Sequence, residues 1–189
     1  MLLYALTETA QHPPEEWDGL LRAIGNGSRD ALADLYHLAR VPVYTMALSL
    51  LKSKHDAEDV VQDTFLQVWN AAAGYQARGK GLAWILTIAR NLARMKFREQ
   101  SRSGELSEEG WASLVADSPA LTTEDKEVLS AALNTLSDQE RQVVTLHAVT
   151  GLKHREIAQL LELPLSTVLS KYRRALGKLK HELEGADLP

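Results

Sequence analysis

Residues 153–174 read KHREIAQLLELPLSTVLSKYRR, and their spacing decides the fold of the C-terminal part of the chain. Ile157, Ala158, Leu161, Leu163, Val168 and Tyr172 recur where two short helices would close a small core on each other. Glu162-Leu163-Pro164 between them is a tight turn, and Pro164 falls near the first turn of the second helix, where a missing N–H costs little. A short helix over 153–161, this turn and a longer helix to about residue 184 make a helix-turn-helix, whose second helix enters the major groove of duplex DNA. Thr167, Ser170, Lys171, Arg174 and Lys178 line one side of that helix at i, i+3, i+4, i+7 and i+11. Hydroxyls and cations are the groups that contact phosphates and base edges. A solvated face uses the same residues, and Lys178 and Lys180 fit the negative end of a helix dipole equally well.

Upstream, Ser137 and Glu140 have the S-x-x-E spacing of a capping box, opening a helix that Gly151 ends. A further helix is predicted over 121–134. Between 103 and 127 lie seven acids against Lys126 alone, with Gly104, Gly110, Pro119 and several serines, a linker composition without helical period. Trp111 and Leu114 are unusual for a free tether and suggest that the linker docks somewhere. The expected architecture is all-α: a helical domain over 1–100, a flexible acidic linker over 101–121 and a helix-turn-helix domain over 122–189.

In the first domain Trp17, Leu20, Leu21 and Ile24 fall at helical spacing before Gly25-Asn26-Gly27. Leu32, Leu35, Tyr36, Ala39, Val43, Met46, Ala47 and Leu50 form a second stripe, which Pro42 is expected to kink or split. Asp56 is the expected N-cap of a third helix with Val61, Phe65, Val68 and Ala72 inward. A glycine-bounded loop over 74–81 leads to a fourth helix, about 82–98, with Leu82, Ile85, Ile88, Ala89, Leu92 and Met95 inward.

Charge is segregated along the chain. Residues 78–102 hold seven cations and the single acid Glu99, and 170–181 hold five cations and no acid, although the net charge is −4. The fourth helix carries Thr87, Arg90, Asn91, Arg94 and Arg98 as a polar, basic stripe beside the loop Tyr75-Gln76-Ala77-Arg78-Gly79-Lys80, with Trp84 just beyond. Cations that track phosphates next to pocket-forming groups suit single-stranded DNA, while Trp84 by itself reads equally as structural. The third helix differs. Glu58, Asp59, Gln62 and Asp63 make an acidic face, and dipole complementation explains Glu58 better than the deeper Gln62 and Asp63. That face would repel DNA and points to a protein partner.

Several function classes are disfavoured. With no cysteine, a disulfide framework, a thiolate zinc site and a thiol sensor are excluded, which fits a reducing cytosol. The six histidines (His12, His37, His55, His147, His154, His181) show no metal-ligand spacing and read as surface or helix-end residues. No P-loop, dinucleotide fingerprint or nucleophile elbow is present, so neither catalysis nor a cofactor or metal is expected. Residues 1–11 lack the pattern of a signal peptide, and no apolar run approaches a membrane span.

Residues 56–69, DAEDVVQDTFLQVW, resemble region 2.2 of bacterial RNA polymerase sigma factors of the extracytoplasmic-function (ECF) group of the sigma-70 family. Residues 82–94, LAWILTIARNLAR, resemble their regions 2.3 and 2.4, and 136–179, with Glu156-Ile-Ala158 and Ser166-Thr-Val168, are similar to their region 4. The resemblance implies a cytoplasmic promoter-specificity subunit. Glu58, Asp59, Gln62 and Asp63 would bind the β′ clamp helices of core polymerase, with the β flap as a further contact. Gln76, Arg78, Lys80, Trp84, Thr87, Arg90, Asn91, Arg94 and Arg98 would melt and hold the −10 element as a single strand. Thr167, Ser170, Lys171, Arg173, Arg174 and Lys178 would read the −35 element as duplex. It also implies an anti-sigma factor that occludes these surfaces. Leu169, where the family usually has a basic residue, Lys171 in place of Arg and Met95 in place of an acid depart from the pattern. A free-standing activator using the helix-turn-helix alone is the alternative.

Overall fold

The computed structural model describes residues 13–103 and 122–185; the acidic segment 104–121, with Trp111 and Leu114, and His12 lie outside them. Helix α1 (Pro14–Gly25) starts on a proline, whose fixed φ suits the first turn, and buries Trp17, Leu21 and Ile24. α2 (Arg29–Leu51) is capped by Ser28, whose side chain accepts from the Ala31 N–H. It runs through Pro42 as one element, so of the expected kink or split the split does not occur. Leu35 and Ala39 before the proline and Val43, Met46 and Ala47 after it are all fully buried, so packing on both sides holds the two halves together.

The cap of α3 (Lys54–Ala71) is Ser53 rather than Asp56. Ser53 accepts from the Asp56 N–H, and the Asp56 carboxylate turns instead to Lys96 at 3.1 Å. Ala57, Val60, Val61, Phe65 and Val68 face inward. A single 3-10 turn (Ala72–Gly74) precedes the loop, which ends at α4 (Gly81–Ser103). The inward face of α4 is Leu82, Ile85, Leu86, Ala89 and Ala93; Met95, expected inside, is 57% exposed. Lys96 takes the inward direction at that level because two carboxylates await it, and its neighbour is turned out.

In the C-terminal part, α5 (Thr123–Asn134) and α6 (Asp138–Thr150) both open on complete capping boxes, Thr122 with Asp125 and Ser137 with Glu140. Gly151 closes α6 at φ +66. α7 (His154–Leu161) and α8 (Leu165–Gly185) form the helix-turn-helix, with Glu162 in the left-handed region at φ +56 making the turn. The Pro164 carbonyl accepts from the Thr167 and Val168 N–H groups and starts α8.

The two helical groups pack on each other, α2 against α6 and α4 against α7. One cluster of buried side chains runs from Leu35, Val43 and Met46 of α2 to Val143 and Leu146 of α6. At its edge Lys52 meets Asp138 at 2.7 Å, and the Gln142 amide donates to Ser49 Oγ at 2.9 Å.

Candidate nucleic-acid and protein interfaces

The exposed side of α8 is assembled by the helix-turn-helix core. Ile157 and Val168 are fully buried, with Tyr172 partly buried over them, which leaves Ser170, Arg173 and Arg174 exposed and Thr167 and Lys171 half-buried. Arg174 reaches only within its own helix, to the Ser170 carbonyl and hydroxyl, both at 3.3 Å. Leu169 stands among these groups, 47% exposed. Lys178 behaves differently. Its ammonium lies 2.8 Å from the buried Glu140 carboxylate, which also accepts from the Ser137 N–H. The lysine's hydrogen bond is the main reason that Glu140 is held at about 2. Lys178 therefore braces α8 on the start of α6.

Part of the basic face of α4 is held by the turn of the helix-turn-helix. Arg90 is only 8% exposed, and its guanidinium grips Glu162 with both arms, Nη2 to Oε2 at 2.7 Å and Nη1 to Oε1 at 3.0 Å. Arg94 Nη1 reaches the same carboxylate at 3.0 Å. Hydrogen bonds from Arg90 first and then Arg94 keep Glu162 at about 2, well below the ordinary carboxylate range. Thr87, Asn91 and Arg98 remain exposed. Beside them a cleft of about 450 Å³ is bounded by Gln76, Arg78, Lys80 and Trp84 on one side and by Glu156 and Gln159 of α7 on the other. Trp84 leans on Tyr75 with ring centroids 5.0 Å apart, and Arg78 Nη2 donates to Gln76 Oε1. Gln76, Arg78, Lys80, Trp84 and Thr87 are thus brought together at this cleft with α7 across from them, while Arg90, Arg94 and Arg98 line a separate hollow with Glu162.

The loop has an anchor that spacing did not reveal. Asp18 of α1, 6% exposed, accepts from the Tyr75 hydroxyl through Oδ1 at 2.5 Å and from the Gly79 N–H through Oδ2 at 2.7 Å. The available signal was an acid on an otherwise apolar helix face, between Trp17 and Leu21.

On α3 the acidic residues divide. Asp59 is bound by Lys96 at 2.5 Å, and Glu58 is half-buried. Burial alone would lower the Lys96 pKa, but its bonds to Asp59 and Asp56 outweigh that and raise it. Gln62 and Asp63 are exposed next to Leu66, itself 63% exposed.

His147 and His154 were expected at helix ends, and they are, but their rings stack 4.6 Å apart under the edge of Tyr172. Burial first, and then the neighbouring His147, lower the His154 pKa. Among the described residues no three His, Asp or Glu side chains gather as a metal site, and no helix is long and apolar enough to cross a membrane.

An all-helical chain that carries a helix-turn-helix and a second basic helix beside a pocketed loop has the build of a DNA-binding protein with more than one contact surface. Residues 35–103 match the Sigma-70 region 2 family and residues 126–179 the Sigma-70 region 4 family. The ECF RNA polymerase sigma factor SigK of Mycobacterium ulcerans (strain Agy99) is 32% identical over 180 residues, covering 91% of this chain and 96% of that protein. SigK of Mycobacterium sp. (strain KMS) is 33% identical over 187 residues, covering 94% and 96%. The chain belongs to the ECF RNA polymerase sigma factors. Its fold is shared with CnrH, solved with the cytosolic domain of CnrY (TM-score 0.60, 24% identity, 91% of this chain and 99% of that one). It is shared also with the sigma factor RpoE of Bartonella quintana, solved with the anti-sigma factor NepR (TM-score 0.62, 23% identity, 85% and 100%).

Proposed function

We propose that this sigma factor docks on core polymerase through the α3 face, reads a −35 duplex with α8, and captures a −10 single strand with α4 and the loop before it. The observation that carries this division is the presence of an exposed acidic and apolar patch, Gln62, Asp63 and Leu66, on the same domain as a basic stripe. A DNA-binding domain acting alone has no use for such a patch, since acids there oppose the phosphate backbone. Thr167, Ser170, Lys171, Arg173 and Arg174 supply the −35 contacts, with Lys178 in support of the helix. Gln76, Arg78, Lys80, Trp84, Thr87, Arg90, Asn91, Arg94 and Arg98 supply the −10 contacts. No residue acts as a catalyst; the work is done by binding energy, and the protein acts in the cytoplasm.

Arg90 and Arg94 cannot hold Glu162 and DNA phosphates together. Loading on polymerase therefore separates α7 from α4. CnrH and the Bartonella RpoE were each solved with a bound protein, in the second case an anti-sigma factor, which supports control of this chain by an anti-sigma factor of its own.

Retention of core polymerase by the tagged chain, followed by run-off transcription, tests the assignment. Gln62→Lys with Asp63→Lys should abolish both while the far-ultraviolet circular dichroism stays unchanged. A free-standing activator would keep promoter binding in that variant and would never retain the core enzyme.

A further inference from the structure

The loop over residues 74–81 is set by a helix that lies outside the matched region 2, which begins at residue 35. Three contacts from α1 and its end define the loop's path. Asp18 holds both ends of the Tyr75–Gly79 turn, one carboxylate oxygen to each. Gly79 is at φ +68, a conformation that only glycine takes without strain, and its N–H points into the protein at Asp18 rather than outward. Gly81 lies against Trp17 so closely that a Cβ there would come within 2.6 Å of the Trp17 Cβ.

A buried carboxylate that receives two donors costs free energy to desolvate unless both bonds are made, so it enforces one geometry on the groups that supply them. Here those groups are the loop's first aromatic and its turn glycine. Tyr75 in turn supports Trp84 at the edge of the cleft. Burial first, and then the Asp18 carboxylate, raise the Tyr75 pKa, so the phenol stays protonated and remains a donor. Gln76, Ala77 and Arg78, between the two fixed points, are exposed and bear no such tie to α1.

We propose that Asp18 is the positioning residue of the promoter-reading loop: it touches no DNA, but by fixing Tyr75 and Gly79 it determines which unpaired base the loop accepts. This rests on the assignment of the loop to the −10 strand given above. The shape of the pocket, not the charge at its rear, is what Asp18 supplies. Asn in its place can still accept from the Gly79 N–H and can donate to the Tyr75 oxygen, whereas Ala can do neither.

The test uses full-length chain, reconstituted with core polymerase and offered a duplex library randomised in both promoter elements, with the transcripts sequenced. The wild-type holoenzyme should select bases in both elements. Asp18→Ala should flatten the preference at one or two adjacent −10 positions by about tenfold while −35 preferences change less than about twofold. Asp18→Asn should restore the pattern, and Tyr75→Phe should fall between. In parallel, hydrogen exchange of the Gly79 amide should accelerate by about tenfold in Asp18→Ala while the α2 amides keep their protection. If the wild type selects nothing in the −10 element, the assignment of the loop itself fails. If it does select, and Asp18→Ala lowers the transcript yield evenly with the base preferences unaltered, the positioning role is overturned. If Asp18→Ala does not assemble, Tyr75→Phe decides, because it removes one hydroxyl and leaves α1 intact; unchanged −10 preferences there would overturn the proposal.

Discussion

The two basic faces of this sigma factor are built from the same residue types and stand in opposite states. On α8, Ser170, Arg173 and Arg174 are exposed, and the bonds of Arg174 stay within its own helix. On α4, Arg90 is buried and both Arg90 and Arg94 hold Glu162 of the other domain. One face is open to solvent, and part of the other is held by the turn of the motif that carries the first. The difference teaches that an ion-pair cluster, beside the apolar contact of α2 with α6, can occupy one basic face while the other stays open. Its carboxylate is the residue that forms the helix-turn-helix turn, so the recognition motif and the cover are one piece.

The largest effect should come from removing the covered face. Arg90→Ala with Arg94→Ala should cut run-off initiation roughly 10- to 100-fold, because two phosphate-binding cations are lost at the melted strand. Retention of core polymerase should be unchanged, since the α3 patch is untouched. Equal loss of both activities would break the assignment of α4 to DNA.

On the presented face, Lys171→Ala and Arg174→Ala should each weaken holoenzyme binding to a promoter duplex by about tenfold. The salt dependence should also become shallower by about one ion per removed cation that meets a phosphate. Lys178→Ala should behave otherwise, lowering stability with little change in that slope, because its ammonium is committed to Glu140.

Stability should show the same contrast through the two depressed carboxylates. Glu140→Ala should cost the C-terminal domain about 2–3 kcal/mol in chemical unfolding, since both the α6 cap and a charge-assisted bond disappear. The sign with pH follows from the depressed value. The Glu140 contribution is complete above its ordinary 4.5 and is lost as pH falls toward 2. Glu162 titrates in the same direction, from 4.5 toward about 2, so the contact between the domains should ignore pH over about pH 5–8. Added salt should loosen it instead, because Glu162 is exposed.

Sequence revealed the elements far better than the contacts between them. The capping boxes at Thr122 and Ser137, the Gly151 stop and the α7–turn–α8 core are all local, so spacing of a few residues suffices to read them. The spacing predicts the Ser137 box, the stop and the helix-turn-helix core; Thr122 with Asp125 carries the same kind of signal. What failed was long-range. Arg90 reads as part of an exposed basic stripe because Glu162 lies 72 residues on, and spacing does not single out Asp18 because Tyr75 and Gly79 lie 57 and 61 residues on. Met95, expected inside, is turned out for the same reason, since Lys96 beside it is held by Asp59, 37 residues upstream. How the two domains sit together is not legible in the sequence, because nothing in the pattern of α2 or α6 distinguishes an apolar face for its own domain from one for its neighbour.

The distance between the domains tests the central claim most directly. The chain has no cysteine, so Ala33→Cys and Ala131→Cys, both at exposed helical positions, can carry spin labels without background. Dipolar spectroscopy should give one narrow distance in the free protein, and Glu162→Gln should broaden it. The distance should lengthen when the labelled chain joins core polymerase and promoter DNA. An unchanged distance in a transcribing complex would contradict the account, because Arg90 and Arg94 would then remain bound to Glu162 while the −10 strand is open.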